Sequence, residues 1–243
     1  TPGIKASLLI HPEELDRTWI HRCTDMNLTG LALHPVGGAD AHQSLAAMLE
    51  LLDQPGYRQL LDEAADAGLD IEYEMHALRY LLPKALFEKH PDWFRMNQDG
   101  QRTADFNFCV TNHEAMDYVA KNAANLVKKL YCSSSRYFLW MDDVGTAACC
   151  CPNCSQYSPS EQQLMVMNRI LQELQKDNPH ATLAHLAYTG CLQAPEKVKP
   201  LPGIFLEYAP FDRDFHRPIT DDCAKNTAQW QPLEKLLQVF GCD

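Results

Sequence analysis

Arg136-Tyr137-Phe138-Leu139-Trp140-Met141 is a short apolar run that stops at Asp142-Asp143. A run of this length, rich in aromatic side chains and almost continuously apolar, reads as a strand covered on both faces, the situation of a strand inside a parallel sheet. The acidic pair then stands at the C-terminal end of that strand. The same pattern recurs outward in both directions. Residues 5–10 (KASLLI), 29–34 (TGLALH), Asp70–His76 (DIEYEMH), 181–188 (ATLAHLAY) and Ile204–Tyr208 (IFLEY) read as five further strands. Helical periodicities lie between them. One starts at Pro12 and carries Leu15, Trp19, Cys23 and Met26. Others cover residues 43–52 and 57–67, with Gly68 placed to close the second. A capping box from Thr111 to Glu114 opens a helix bearing Met116, Val119, Ala123, Leu126 and Leu130. A second box, Ser160 to Gln163, opens one bearing Leu164, Met167, Leu171 and Leu174, and a last helix over 229–240 ends at Gly241.

Strands alternating with helices imply a parallel sheet under a helical layer. The spacing predicts an α/β fold of the (β/α)8 TIM-barrel type, with about six of the eight βα units in this chain. Six strands alone would leave two open edges, so a single catalytic-type barrel domain over residues 1–243, belonging to a longer protein, is the expected organisation. A doubly wound open sheet is the alternative, although no glycine-rich phosphate loop follows any strand.

At 243 residues, 46% hydrophobic and 22% charged, the chain can bury one sizeable core. No run approaches the roughly 18 apolar residues of a membrane span, so no membrane partner is expected. A formal net charge of −11 has the wrong sign for a phosphate backbone, and no nucleic-acid partner is expected either. The chain opens at Thr1-Pro2-Gly3 rather than at a Met with a basic and then apolar stretch, which fits a processed product and not a signal peptide. Ten cysteines show no small-domain disulfide framework, which favours a reducing interior such as the cytoplasm.

Catalytic groups of such barrels come from the C-terminal strand ends. Here those ends carry His11, His34, Glu74 with His76, Asp142 with Asp143, Tyr188, and Glu207 with Tyr208. Two carboxylates close together in a partly dry site repel, so one keeps its proton near neutral pH and can protonate a leaving oxygen. The same pair could instead cap a loop or bind a cation. Glu74 and Glu207 are the candidate second carboxylates that glycoside cleavage needs. His11, His34 and His76 could meet sugar hydroxyls, and Trp93, Trp140 and Tyr208 could supply an aromatic platform, although the place of Trp140 inside the strand favours core packing. The cluster Cys149-Cys150-Cys151-Pro152-Asn153-Cys154 places Cys149, Cys151 and Cys154 as three ligands of a structural zinc site, with a fourth from elsewhere. A disulfide or unliganded thiols are the other readings. A site of this kind would pin the loop after the fourth strand and take no part in hydrolysis, so no cofactor is expected for catalysis.

The stretches HALRYLLP (76–83), HPDWF (90–94) and DGQR (99–102), followed by the acidic pair, the cysteine cluster, MNRI (167–170), LAY (186–188), EYAP (207–210) and HRP (216–218), occur in this order along nearly the whole chain. In that order they resemble a bacterial family known as domain of unknown function 4838, which is grouped with carbohydrate-active barrels similar to family 20 hexosaminidases and α-glucuronidases. The resemblance implies a hydrolase of glycosidic bonds, a carbohydrate substrate and further domains in the same protein. In hexosaminidases the pair reads Asp-Glu, the Asp steering the substrate's acetamido group and the Glu acting as acid; by position those roles fall on Asp142 and Asp143. Here an Asp replaces that Glu, one methylene shorter, and the glycines that usually precede the pair are absent. A direct mechanism with Glu207 or Glu74 as the second carboxylate therefore stays open.

The expectation is a glycosidase (an O-glycosyl hydrolase) with Asp143 as general acid, Asp142 its positioned partner, and His76, Tyr188, Glu207, His216 and Arg217 at the sugar pocket. Two other classes remain: a non-catalytic carbohydrate-binding barrel, and a metal-dependent hydrolase using His11, His34 and Asp142.

Overall fold

A computed structural model describes residues 5–144 and 147–242. Six strands form one curled parallel sheet: β1 (Ser7–Ile10), β2 (Gly30–Leu33), β3 (Asp70–His76), β4 (Arg136–Trp140), β5 (Thr182–Ala187) and β6 (Ile204–Tyr208). Their spatial order follows chain order without reversal. A doubly wound sheet must turn back at a switch point, so that alternative falls. The sheet is a half-barrel resembling part of a TIM-type barrel, and closure to (β/α)8 is not seen among the described residues. The helices are α1 (Arg17–Asp25), α2 (Ala41–Leu52), α3 (Pro55–Asp66), α4 (Leu78–Leu81), α5 (His113–Val127), α6 (Pro159–Asp177), α7 (Ile219–Lys225), α8 (Thr227–Trp230) and α9 (Leu233–Phe240). Between β5 and β6 the strand–helix rhythm lapses. Residues 188–203 hold only a 3₁₀ turn at Thr189–Cys191, in a stretch where Pro195, Pro200 and Pro202 remove helix donors.

The period of two along each strand sorts side chains into two environments. Ile10, Leu31, Leu33, Ile71, Tyr73, Met75, Tyr137, Leu139, Leu183 and Ile204 point outward into the main core beneath the helices. The concave face carries a smaller cluster of Phe138, Trp140, Ala184 and Leu186, with Phe205 and Tyr188 against it. Its floor is Arg136, paired with Glu72 at 3.1 Å and lying 4.3 Å from the Phe205 ring centroid. The mouth of the half-barrel lies above, where the strands end.

Four local expectations shift. The helix read from Pro12 is a 3₁₀ turn over Pro12–Glu14, and α1 begins afresh after the Asp16 cap. Asn112, not Thr111, caps α5, because the Thr111 hydroxyl lies 3.2 Å from Cys154 Sγ. The capping box of α6 is Ser158 with Glu161, strengthened by Pro159, whereas Ser160 and Gln163 turn inward to His185. Pro232 divides the last expected helix into α8 and α9, and Gly241, with φ +66°, closes α9 as read.

Glu161 does more than cap its helix. Its carboxylate accepts from the amides of Ser158 at 2.8 Å, Glu196 at 3.1 Å and Lys197 at 2.6 Å, tying α6 to the β5–β6 loop. Burial opposes its ionisation, but these amides outweigh burial and hold it below the usual carboxylate range. Glu161→Ala strands all three donors and is expected to lower unfolding free energy by about 3 kcal/mol in urea titration. A loss under about 0.5 kcal/mol, the scale of an ordinary surface change, would contradict this role.

Candidate active site at the mouth of the half-barrel

Three histidines climb across the first strand ends in a repeating arrangement. His11 Nδ1 lies 2.8 Å from the His34 carbonyl, His34 Nδ1 lies 2.7 Å from that of Glu74, and His76 Nδ1 lies 2.6 Å from that of Met141. A carbonyl can only accept, so each Nδ1 carries the hydrogen and each Nε2 is left for the mouth. Burial holds His34 and His76 below the usual histidine range, although the carbonyl bond pulls each the other way. Trp140 packs among them, its ring 5.6 Å from His34 and 5.1 Å from His76.

The acidic pair divides its labour. Asp142 turns away from the mouth: its Oδ1 accepts from the Arg79 amide at 3.0 Å and its Oδ2 from the Asn107 amide at 2.6 Å. Its own amide donates to Asn107 Oδ1 at 2.9 Å. Burial pushes Asp142 up, and the two backbone donors work against that shift. Asp143 faces the mouth. Its Oδ2 accepts from the Gly38 amide at 3.1 Å, and its Oδ1 lies 3.4 Å from the Tyr188 hydroxyl and 4.0 Å from His76 Nε2. Gly37 makes this approach possible: a Cβ there would stand 2.9 Å from Asp143 Oδ2 and 3.3 Å from the His76 ring.

Deeper on the concave face, Glu207 accepts from the Trp140 indole at 2.7 Å. Burial, then the nearby Glu74 carboxyl, pushes Glu207 up to about 8, against the Trp140 bond and Arg136. Burial and then Glu72 push Glu74 up to about 7. Both therefore hold protons at neutral pH far more than an exposed glutamate does.

The mouth thus gathers His11, His34, His76, Asp143 and Tyr188, with Glu74 and Glu207 beneath it on the concave face. Tyr208 and Trp93 lie elsewhere. Tyr208, next to Glu207, points to the opposite side, where its hydroxyl donates to the Gln229 carbonyl. Trp93 is buried in the outer layer, its ring 4.1 Å from His90 and 5.4 Å from Tyr118. His216 and Arg217 are exposed on the segment after β6, Arg217 pairing with Asp214 at 2.7 Å. The metal-hydrolase reading fails on geometry, because Asp142 is occupied by backbone amides away from His11 and His34. Among the described residues, the one group whose ligand atoms converge is Cys149, Cys151 and Cys154 with Cys109. Gly37, Gly38, Arg79 and Asn107 were not foreseen; only the Gly-Gly step after β2 left a visible trace in the sequence.

A family model described as Domain of unknown function (DUF4838) matches residues 53–242. No curated protein matches the chain. Among solved structures, the chain is similar to the GH36 α-galactosidase AgaA of Geobacillus stearothermophilus in complex with raffinose (12% identity, 76% of this chain and 28% of that one, TM-score 0.47). It is also similar to a β-galactosidase from the psychrophilic Marinomonas ef1 (11% identity, 90% and 43%, TM-score 0.46). A third is a structure of the tandem GH20 catalytic modules of the pneumococcal exo-β-D-N-acetylglucosaminidase StrH (10% identity, 91% and 63%, TM-score 0.49). The chain spans less than two thirds of the length of each. Among the described residues no helix is long and apolar enough to cross a membrane.

The histidine ladder makes a direct prediction. Nitrogen-15 spectra at neutral pH are expected to show His34 and His76 as neutral Nδ1–H tautomers, with titration midpoints below the ordinary value near 6.5. Nε2–H tautomers would contradict the carbonyl bonds described above.

Proposed function

The chain belongs to the DUF4838 family, and from that premise we propose that it is a glycoside hydrolase, cleaving by a pair of carboxyl groups at the C-terminal mouth of the half-barrel. One observation carries the reading. Asp143 is held into the mouth by Gly38 and Tyr188, while a second, drier carboxyl, Glu207, stands on the concave face beside Trp140. Two carboxyls in unlike environments divide into acid and base.

The resemblance gives the acid role to Asp143. Burial argues for the reverse, because Glu207 keeps its proton up to about 8. Glu207 then protonates the glycosidic oxygen as the bond to the anomeric carbon breaks. Asp143 meets the positive charge that develops there; water then adds to the anomeric carbon, supplies the hydroxyl of the sugar product and returns a proton to the Glu207 carboxylate. Asp142 acts through its neighbour, fixing the backbone from which Asp143 projects. His34 and His76 offer bare Nε2 atoms to sugar hydroxyls, and Trp140 offers part of a ring face. The shares of the relatives that this chain covers fit a catalytic unit with further domains beside it.

Asp143→Asn is expected to reduce hydrolysis of every aryl glycoside by about a thousand-fold or more, with the circular dichroism spectrum unchanged. Glu207→Gln should cost as much with poor leaving groups but far less with dinitrophenyl glycosides, which depart without a proton. In the unaltered protein kcat/KM should fall as pH rises through about 8. Trp140→Phe removes a bond that favours the ionised form, and should move that fall to higher pH. Unchanged turnover in Asp143→Asn refutes the assignment. Glycan affinity with no cleavage across a broad substrate panel supports the carbohydrate-binding barrel instead.

A further inference from the structure

The cysteine cluster beside the mouth carries an inference independent of glycoside cleavage. Cys149, Cys151 and Cys154 lie on the loop between β4 and α6, whereas Cys109 comes from the long segment before α5, a separation of 40 residues or more. All four are buried, and their Sγ atoms lie within 4.8 Å of one another. Cys109 Sγ is 3.7 Å from Cys151 Sγ and 3.8 Å from Cys154 Sγ. A disulfide needs about 2.05 Å. Four sulfurs about 2.3 Å from a central zinc ion stand about 3.8 Å apart along each edge of the tetrahedron. The edges from Cys109 to Cys151 and Cys154 match that tetrahedron, and the other four are no longer than 4.8 Å.

The surroundings suit thiolates. The Met96 amide donates to Cys149 Sγ at 3.3 Å, and Arg102 Nη1 approaches the same sulfur at 3.9 Å. The Thr111 hydroxyl stands 3.2 Å from Cys154 Sγ, in the place where it forgoes capping α5. Four thiolates around a divalent ion keep two excess negative charges, and the Arg102 guanidinium offsets part of that excess.

We propose that Cys109, Cys149, Cys151 and Cys154 bind one zinc ion as four thiolates, and that this metal fixes the loop carrying Asp142 and Asp143. The connection is short. Asn107, two residues before Cys109, exchanges two hydrogen bonds with Asp142 and donates to the Ala147 carbonyl at 2.9 Å, two residues before Cys149. Metal and Asn107 therefore clamp the same two segments at adjacent points, and the second clamp holds the acidic pair. With all four positions filled by sulfur, no site is left on the metal for water or substrate.

The test begins with the unaltered chain, purified without added metal or chelator. Elemental analysis is expected to find roughly one zinc per chain, and reconstitution with cobalt(II) should give thiolate-to-cobalt charge-transfer bands and the visible bands of a tetrahedral ion. Cys109→Ser should lower zinc content at least as far as Cys154→Ser does, while Cys23→Ser keeps it. Arg102→Ala should weaken zinc affinity by about tenfold. On zinc removal, amide hydrogen exchange should quicken at Asn107 and Gly38, two of the three backbone donors to the acidic pair. Cysteine variants that fail to fold leave the cobalt spectrum and the exchange of the unaltered chain to decide. Four thiols free to react with no metal bound, two disulfides by mass spectrometry, or iron in place of zinc would each overturn the assignment. Unchanged exchange at Asn107 and Gly38 would overturn the positioning role. None of these readouts depends on glycoside cleavage.

Discussion

Asp142 and Asn107 exchange hydrogen bonds in both directions, side chain to backbone, across the mouth of the half-barrel. The bond joins the long segment after β3 to the end of β4, which the sheet alone would leave as separate loops. With the Arg79 amide on its other oxygen, Asp142 has no freedom to face a ligand. Its neighbour Asp143 stands at a tight bend, closed by the Val144 amide donating to the Asp142 carbonyl at 2.9 Å, and faces the mouth. The direction of Asp143, its contact with Gly38, and the closeness of the cysteine loop all follow from that latch.

Beneath the latch, the concave face is an unusually charged interior. Glu72 lies beside Arg136, while Glu74 and Glu207 stand higher and, among the described residues, meet no cation of their own. Carboxyl groups so placed lower the cost of burial by keeping their protons. The result is a reservoir of protons under a mouth whose nearest histidines are neutral with bare Nε2 atoms. The proposed cleavage draws on one such protonated carboxyl, Glu207, together with Asp143 at the mouth.

Much of this was legible in the sequence, because the fold rests on strong periodicities. A period of two places Glu74 with His76 on one face, and the strand ends name His11, His34, Asp143, Tyr188 and Glu207. What stayed hidden depends on contacts between distant residues. Tyr208 sits beside Glu207 in the chain yet faces the helices. Thr111 and Ser160 have the pattern of helix caps, but a cysteine sulfur and a buried histidine engage their hydroxyls. Trp93 has the chemistry of a sugar platform and the surroundings of a core residue. Cys109, the fourth member of the cysteine group, lies 40 residues or more before the other three, and no local spacing marks it. Asn107 carries no motif, although the acidic pair depends on it.

The division of roles between Glu207 and Asp143 turns on where the proton resides. A carbon-13 NMR titration of carboxyl-labelled protein would resolve Glu207 directly. The account predicts a midpoint near 8 for Glu207, moving upward in Trp140→Phe, with the carboxyl protonated at neutral pH. A midpoint in the ordinary glutamate range near 4.3 would contradict the division of roles between Glu207 and Asp143.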